Sequence, residues 1–204
     1  MTTLKPPLII VMGVSASGKT TIGGLLAKKL NVEFLDGDNF HSAKSVEKMA
    51  KGIPLNDDDR QQWLEEISMK ISNKSRENKG LVIACSALKL SYRNIIRSSN
   101  YIDDDKEIIF VYIKGTMELF KKRIEHREGH FMPVSLLQSQ FDTLEEPRDN
   151  EVTNEKKSSR VIEVSAELNP DEIIEEIVKQ LLRLTLIVPC SDDFISTNKK
   201  TYKL

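Results

Sequence analysis

The chain has 204 residues, 39% hydrophobic and 30% charged, the balance of one globular domain with a real core rather than of a disordered chain. Its 30 basic and 31 acidic side chains nearly cancel, which removes any bulk pull toward nucleic acid or an anionic membrane. The two cysteines, Cys85 and Cys190, exclude a disulfide framework and a Cys-x-x-Cys metal site, and no apolar run is long enough to span a bilayer.

Leu8–Met12 is a largely β-branched run closed by Gly13, and it predicts a buried parallel strand. Residues 18–30 follow with Ile22, Leu25, Leu26 and Leu30 at helical spacing. A second strand is predicted at 32–35. A helix over 57–72 would carry Trp63, Leu64, Ile67 and Ile71 on one face. Residues 81–85 and 108–113 read as further strands, with Cys85 as a buried core thiol. Residues 117–124 read as a helix, and Pro133 opens another because proline suits a first helical turn. A fifth strand is predicted at 161–164, and a last helix at 170–184 with Ile173, Ile174, Ile177, Val178 and Leu181 as its buried stripe. Alternating strands and helices predict an α/β fold, a parallel sheet covered on both faces in three layers. The polar stretch 147–159 reads as a mobile loop. Residues 1–186 read as one domain and 187–204, ending in Lys199, Lys200 and Lys203, as a loosely ordered tail. The segment before Leu8 lacks the features of a signal peptide, so a cytoplasmic location is expected.

The stretch Gly13-Val14-Ser15-Ala16-Ser17-Gly18-Lys19-Thr20 matches the phosphate-loop pattern G-x-x-x-x-G-K-[ST] in full. It sits where that pattern needs to sit, after a buried strand and before an amphipathic helix that Thr21 continues. Its N–H groups and the helix N-terminus suit phosphate oxygens. Lys19 would reach the β- and γ-phosphates of a nucleoside triphosphate, and the Thr20 hydroxyl would ligate Mg²⁺. The Asp-x-x-Gly and Asn-Lys-x-Asp patterns of regulatory GTPases occur nowhere in the chain. The third strand ends in Cys85-Ser86 without an acid, whereas acids follow the second strand as Asp36-Gly37-Asp38, an arrangement suited to a small kinase. Asp38 is the candidate to orient the acceptor hydroxyl, and Asp36 the candidate second contact to Mg²⁺. Arg123 and Arg127 stand four apart, on one helical face if the helix continues. With His130 and the hinge candidate Gly129 they make residues 125–135 a candidate lid. Arginines in a lid would clasp phosphate and exclude water.

These residues resemble one family, the thermoresistant-type gluconate kinases. The resemblance rests on the phosphate loop, on the run from Phe34 to His41 with its Asp-Gly-Asp, on Lys48-Met49, and on residues 52–60 ending Asn-Asp-Asp-Asp-Arg. It continues through Cys85-Ser86-Ala87-Leu88-Lys89, Tyr92-Arg93, His130-Phe131-Met132-Pro133 and Leu137-Gln138-Ser139-Gln140-Phe141. It implies a P-loop NTPase fold similar to shikimate and adenylate kinases, with a five-stranded parallel sheet. It implies ATP-dependent phosphorylation of D-gluconate at its 6-hydroxyl, feeding the pentose phosphate pathway, and a homodimer. A polyhydroxylated carboxylate asks for a cation to pair its carboxylate; Arg60 is the first choice, with Arg93 and Lys89 next and His130 as a further contact. Related folds imply that Arg123 stacks on adenine and that Arg127 takes the γ-phosphate. Two positions depart from the family. Ala16 stands where glycine is usual, which is tolerable if its φ is negative, and Ser42 and Ser45 stand where proline and asparagine are usual. The rivals are a P-loop kinase for another small carboxylate such as shikimate, and a nucleotide-gated binding module without turnover.

Overall fold

The computed structural model describes residues 6–98, 107–126, 134–149 and 160–184. In chain order the strands are β1 (Leu8–Met12), β2 (Glu33–Asp36), β3 (Leu81–Ala84), β4 (Ile108–Lys114) and β5 (Arg160–Ser165). The helices are α1 (Lys19–Leu30), α2 (Ala43–Ala50), α3 (Asp57–Arg76), α4 (Leu90–Arg97), α5 (Met117–Glu125), α6 (Val134–Thr143) and α7 (Pro170–Arg183). All strand pairs are parallel, in the order β2-β3-β1-β4-β5. The α/β expectation of a five-stranded parallel sheet therefore holds among the described residues. No helix among them is long and apolar enough to cross a membrane.

The alternation of a strand's side chains divides the core in two. From β1, Ile9 and Val11 face a cluster with Ile22 and Leu26 of α1, Leu137 of α6 and Ile173, Ile177 and Leu181 of α7. Leu8, Ile10 and Met12 face the opposite cluster with Trp63, Leu64, Ile67 and Ile71 of α3 and Tyr92 and Ile96 of α4. A central strand buried on both faces must be apolar throughout, which is why β1 and β4 read as continuous runs. The long helices start on strong caps. Asn56 and Asp59 form a capping box on α3, and Asn169 and Glu172 do so on α7, which also carries Pro170 in its first turn.

Two helices were not legible as helices. In α2 the only buried residue is Ser45, so no apolar stripe marks it. In α4 the buried face carries Arg93 and Arg97 beside Tyr92 and Ile96, and charged residues on a core-facing side mask the period. The helix expected from Pro133 begins at Val134. The expected lid is described only at its flanks, in α5 and α6; most of the expected loop at 147–159, and the expected tail, lie outside the described residues.

Candidate active site

The order β2-β3-β1-β4-β5 places β1 between strands reached in opposite directions along the chain. The carboxyl edge at such a reversal is where open α/β sheets bind ligands. There the chain leaves β1 at Gly13 with φ 144°, and a β-carbon at that position would lie 3.0 Å from the Ile113 carbonyl and from Ser17 Oγ. Glycine is therefore required to start the loop. The Val14 side chain is buried in the core, and its carbonyl accepts a 2.9 Å hydrogen bond from Lys19 Nζ. Thr20 and Thr21 open α1 on an exposed face. Ala16 has φ 61°, so the condition set by the sequence for a methyl at this position is not met. A left-handed alanine costs roughly 1–2 kcal/mol.

That strained residue is held from two sides. The Ser15 N–H donates to Gln140 Oε1 at 2.7 Å, and Gln140 Nε2 donates back to Ser15 Oγ at 2.9 Å. From α5, Arg123 Nη1 donates to the carbonyls of Ala16 at 3.4 Å and Ser17 at 3.3 Å. Its Nη2 donates to the Ala166 carbonyl after β5, and its guanidinium lies 5.8 Å over the Phe120 ring. Arg123, expected at the adenine, is thus seated on the phosphate loop itself.

The acids approach from β2, whose last residue, Asp36, is in register with Ala84 of β3. A β-carbon on Gly37 would lie 2.5 Å from the Ala84 carbonyl, so only glycine passes here. The chain turns at once into a short 3-10 segment, Gly37–Phe40, capped by Asp36 Oδ1, which accepts from Asp38 N at 3.0 Å. The other carboxylate oxygen, Oδ2, accepts from Thr20 Oγ1 at 2.8 Å. Thr20 and Asp36, chosen separately as metal contacts, are thereby neighbours. Asp38 is exposed two residues further on. Burial pushes the Cys85 thiol up to about 12, and the charges it feels include Asp38, Lys19 and Asp36, which converge on this edge.

A cavity of about 480 Å³ is lined by Leu55, Asn56, Asp57, Asp58, Arg60, Lys89, Tyr92 and Thr143, a volume suited to a small molecule. Arg60 donates to the carbonyls of Leu55 and Asn56 and lies 5.6 Å over the Tyr92 ring. Lys89 Nζ is 2.8 Å from Asp57, and Tyr92 Oη donates to the same carboxylate. The Lys89 hydrogen bond, then that of Tyr92, holds Asp57 below the usual carboxylate range. The cavity thus presents two cations partly answered by local acceptors, with Asp38 close enough for its charge to act on His41 together with that of Arg60.

The family profile described as shikimate kinase matches residues 15–182. Gluconokinase of Gluconobacter oxydans (strain 621H) is 43% identical over 176 residues, covering 86% of this chain and 92% of that protein. The thermoresistant gluconokinase of Escherichia coli (strain K12) is 41% identical over 144 residues, covering 71% of this chain and 79% of that protein. A gluconokinase structure from Sinorhizobium meliloti 1021 superposes with a TM-score of 0.75 at 39% identity, covering 89% of this chain and 95% of the other. The chain belongs to the gluconokinase branch of the shikimate kinase-like P-loop family.

Set against the expectations for such a kinase, one residue moves out of the site. Arg93, a candidate for the substrate carboxylate, is 1% exposed, and its Nη1 donates to the carbonyls of Ala87, Leu88 and Glu145 at 3.0–3.1 Å. It ties the β3–α4 connection to the segment after α6, a structural task that a solvent-filled pocket could not support. Arg127 and His130 lie outside the described residues. Two contributors were missed. His41 stacks on Trp63 with ring centroids 4.3 Å apart, and Trp63 Nε1 donates to the Gly37 carbonyl at 2.6 Å. Trp63 is core as expected, yet it also braces the turn that aims Asp38. Burial lowers the His41 pKa, Asp38 opposes that shift and Arg60 adds to it. Gln140 was the other omission; its only signal was its place in the Ser-Gln-Phe run. The departures at Ser42 and Ser45 are explained locally, since Ser42 Oγ caps α2 by accepting from Ser45 N at 3.2 Å.

Proposed function

We propose that the chain transfers the γ-phosphoryl group of ATP to the 6-hydroxyl of D-gluconate, giving 6-phospho-D-gluconate and ADP. The observation that carries this reading is the Thr20–Asp36 pair at the phosphate loop together with a small cavity walled by Arg60 and Lys89, the charges of Asp38 and Arg60 meeting at His41. Loop N–H groups and Lys19 hold the triphosphate. The hydroxyl of Thr20 and the carboxylate of Asp36, 2.8 Å apart, are oxygen donors of the kind that suits Mg²⁺, which keeps several waters and takes few protein ligands. When bound, that ion would neutralise charge on the phosphate oxygens. Asp38 accepts the hydrogen bond of the acceptor hydroxyl and aligns it; a loose transition state asks little more of a base. Arg60 pairs the gluconate carboxylate and Lys89 supports it, while Arg127 and Arg123 supply cations on the phosphate side. A cytoplasmic location and a homodimer belong to the same reading, and light scattering would check the dimer.

The test is a panel of acceptors in a coupled ADP-release assay. Gluconate should support the highest kcat/KM, well above shikimate and other sugar acids. Equal turnover with shikimate would move the reading to the rival kinase, and ADP release independent of any acceptor would reduce it to an ATPase.

A further inference from the structure

We propose that Gln140 is a positioning residue for the phosphate loop: acting through Ser15, and opposite Arg123, it holds the strained turn at Ala16 in its nucleotide-ready shape before nucleotide arrives. The proposal rests on the kinase reading, since it needs this loop to be the nucleotide site.

The loop tip has an unusual problem. Ala16 sits at φ 61°, a conformation that a non-glycine residue leaves unless its surroundings over-determine it. Its own side chain gives no polar anchor, and the next residue does not help, because Ser17 Oγ is buried with no hydrogen-bond partner among the described residues. The anchoring comes from outside the loop. Ser15 is bound at both its polar donor and its hydroxyl by one carboxamide, 125 positions away in sequence. A backbone N–H can only donate, so the carboxamide oxygen must face it, and the NH₂ group is left for Ser15 Oγ. Arg123 takes the other side, binding the carbonyls of Ala16 and Ser17. The residues before, at and after the strained torsion are therefore all fixed by side chains from α5 and α6. A glutamate at position 140 could make similar bonds, but it would set a negative charge where phosphates enter. The neutral amide holds the loop without repelling its ligand.

The test is nucleotide affinity, read by calorimetry for ADP and ATP separately, in Gln140→Met, Ala16→Gly and the double variant. Losing two neutral hydrogen bonds should raise the Kd of ADP and ATP alike, by about tenfold. With saturating nucleotide, kcat and the gluconate KM should stay near those of the unsubstituted protein. With glycine at position 16 the turn needs no holding, so Gln140→Met should then cost about twofold or less. Ser15→Ala, which removes one of the two bonds, should show a smaller loss with the same rescue and serves if Gln140→Met does not fold. An affinity loss for ATP alone would make Gln140 a direct ligand of the terminal phosphate and overturn the proposal. So would an unchanged affinity, or an equal loss that Ala16→Gly leaves in place. Failure of the kinase reading would show separately, in an unsubstituted protein that binds neither nucleotide.

Discussion

The phosphate loop runs through consecutive residues between β1 and α1, and most of what it offers a ligand is backbone: N–H groups, a helix N-terminus and one lysine. The cavity proposed for the acceptor is gathered from the turn before α3, the first turn of α3, the β3–α4 connection, α4 and the end of α6, and what it offers is side chains. The first is set by the order of its own residues, except at Ala16, where Gln140 and Arg123 hold the turn from far along the chain. The second depends on which partner each charge finds after folding. Arg60 and Arg93 make the point: both are arginines near the same helices, yet one lines the cavity and the other is consumed by carbonyls in the interior. In this molecule the phosphate side is mostly a property of sequence spacing, with one torsion left to packing, and the acceptor side a property of packing throughout.

Substitutions should separate the two sides. The largest effect is expected for Asp38→Asn, which should lower kcat about a thousandfold while ATP affinity by calorimetry changes little. Loss of ATP binding would place Asp38 on the phosphate side instead. Arg93→Met should strip three carbonyls of a buried donor, costing about 3 kcal/mol of stability and lowering Tm by about 9 °C. Its gluconate KM should hold, and a selective rise in that KM would return Arg93 to the acceptor site. Arg60→Met should raise the gluconate KM by about tenfold to a hundredfold and leave the ATP KM in place.

His41 sharpens the boundary between the sides through pH. Its folded pKa lies below the ordinary 6.5, with burial as the largest cause. Below 6.5 the unfolded chain therefore binds the proton more readily, and stability is lost as pH falls through that window. Urea midpoints should drop between about pH 7 and pH 5 in the unsubstituted protein, and the drop should shrink in His41→Phe, which keeps a ring on Trp63 without a titrating group. The smallest effect is expected for Ala16→Gly. Relief of the left-handed alanine is offset by a more flexible unfolded chain, leaving about 0.5 kcal/mol of stabilisation and a Tm about 1–2 °C higher.

Much of the phosphate side could be read from the sequence, because Gly13, Gly18, Lys19 and Thr20 carry their roles in their order, and the strand before them and the helix after them have clear periods. The Asp-Gly-Asp was legible as a pair of acids, and the structure adds why a glycine separates them: only glycine passes the Ala84 carbonyl. The torsion at Ala16 was not legible, because the sign of φ depends on what Gln140 and Arg123 do to the loop from far along the chain. Nor was the fate of Arg93, since an arginine facing a core looks in sequence like one facing a ligand. His41 escaped notice because its contact is a stack on Trp63, a residue that reads as ordinary core.

Transfer to the primary hydroxyl of gluconate is read most plainly in the proton-coupled phosphorus NMR spectrum of the product formed from ATP, Mg²⁺ and gluconate. The expected result is an acceptor-dependent phosphomonoester signal split into a triplet by the two protons of a CH₂–O carbon. A doublet, from transfer to a secondary hydroxyl, or a singlet of inorganic phosphate with no ester at all, would contradict phosphorylation at the 6-hydroxyl.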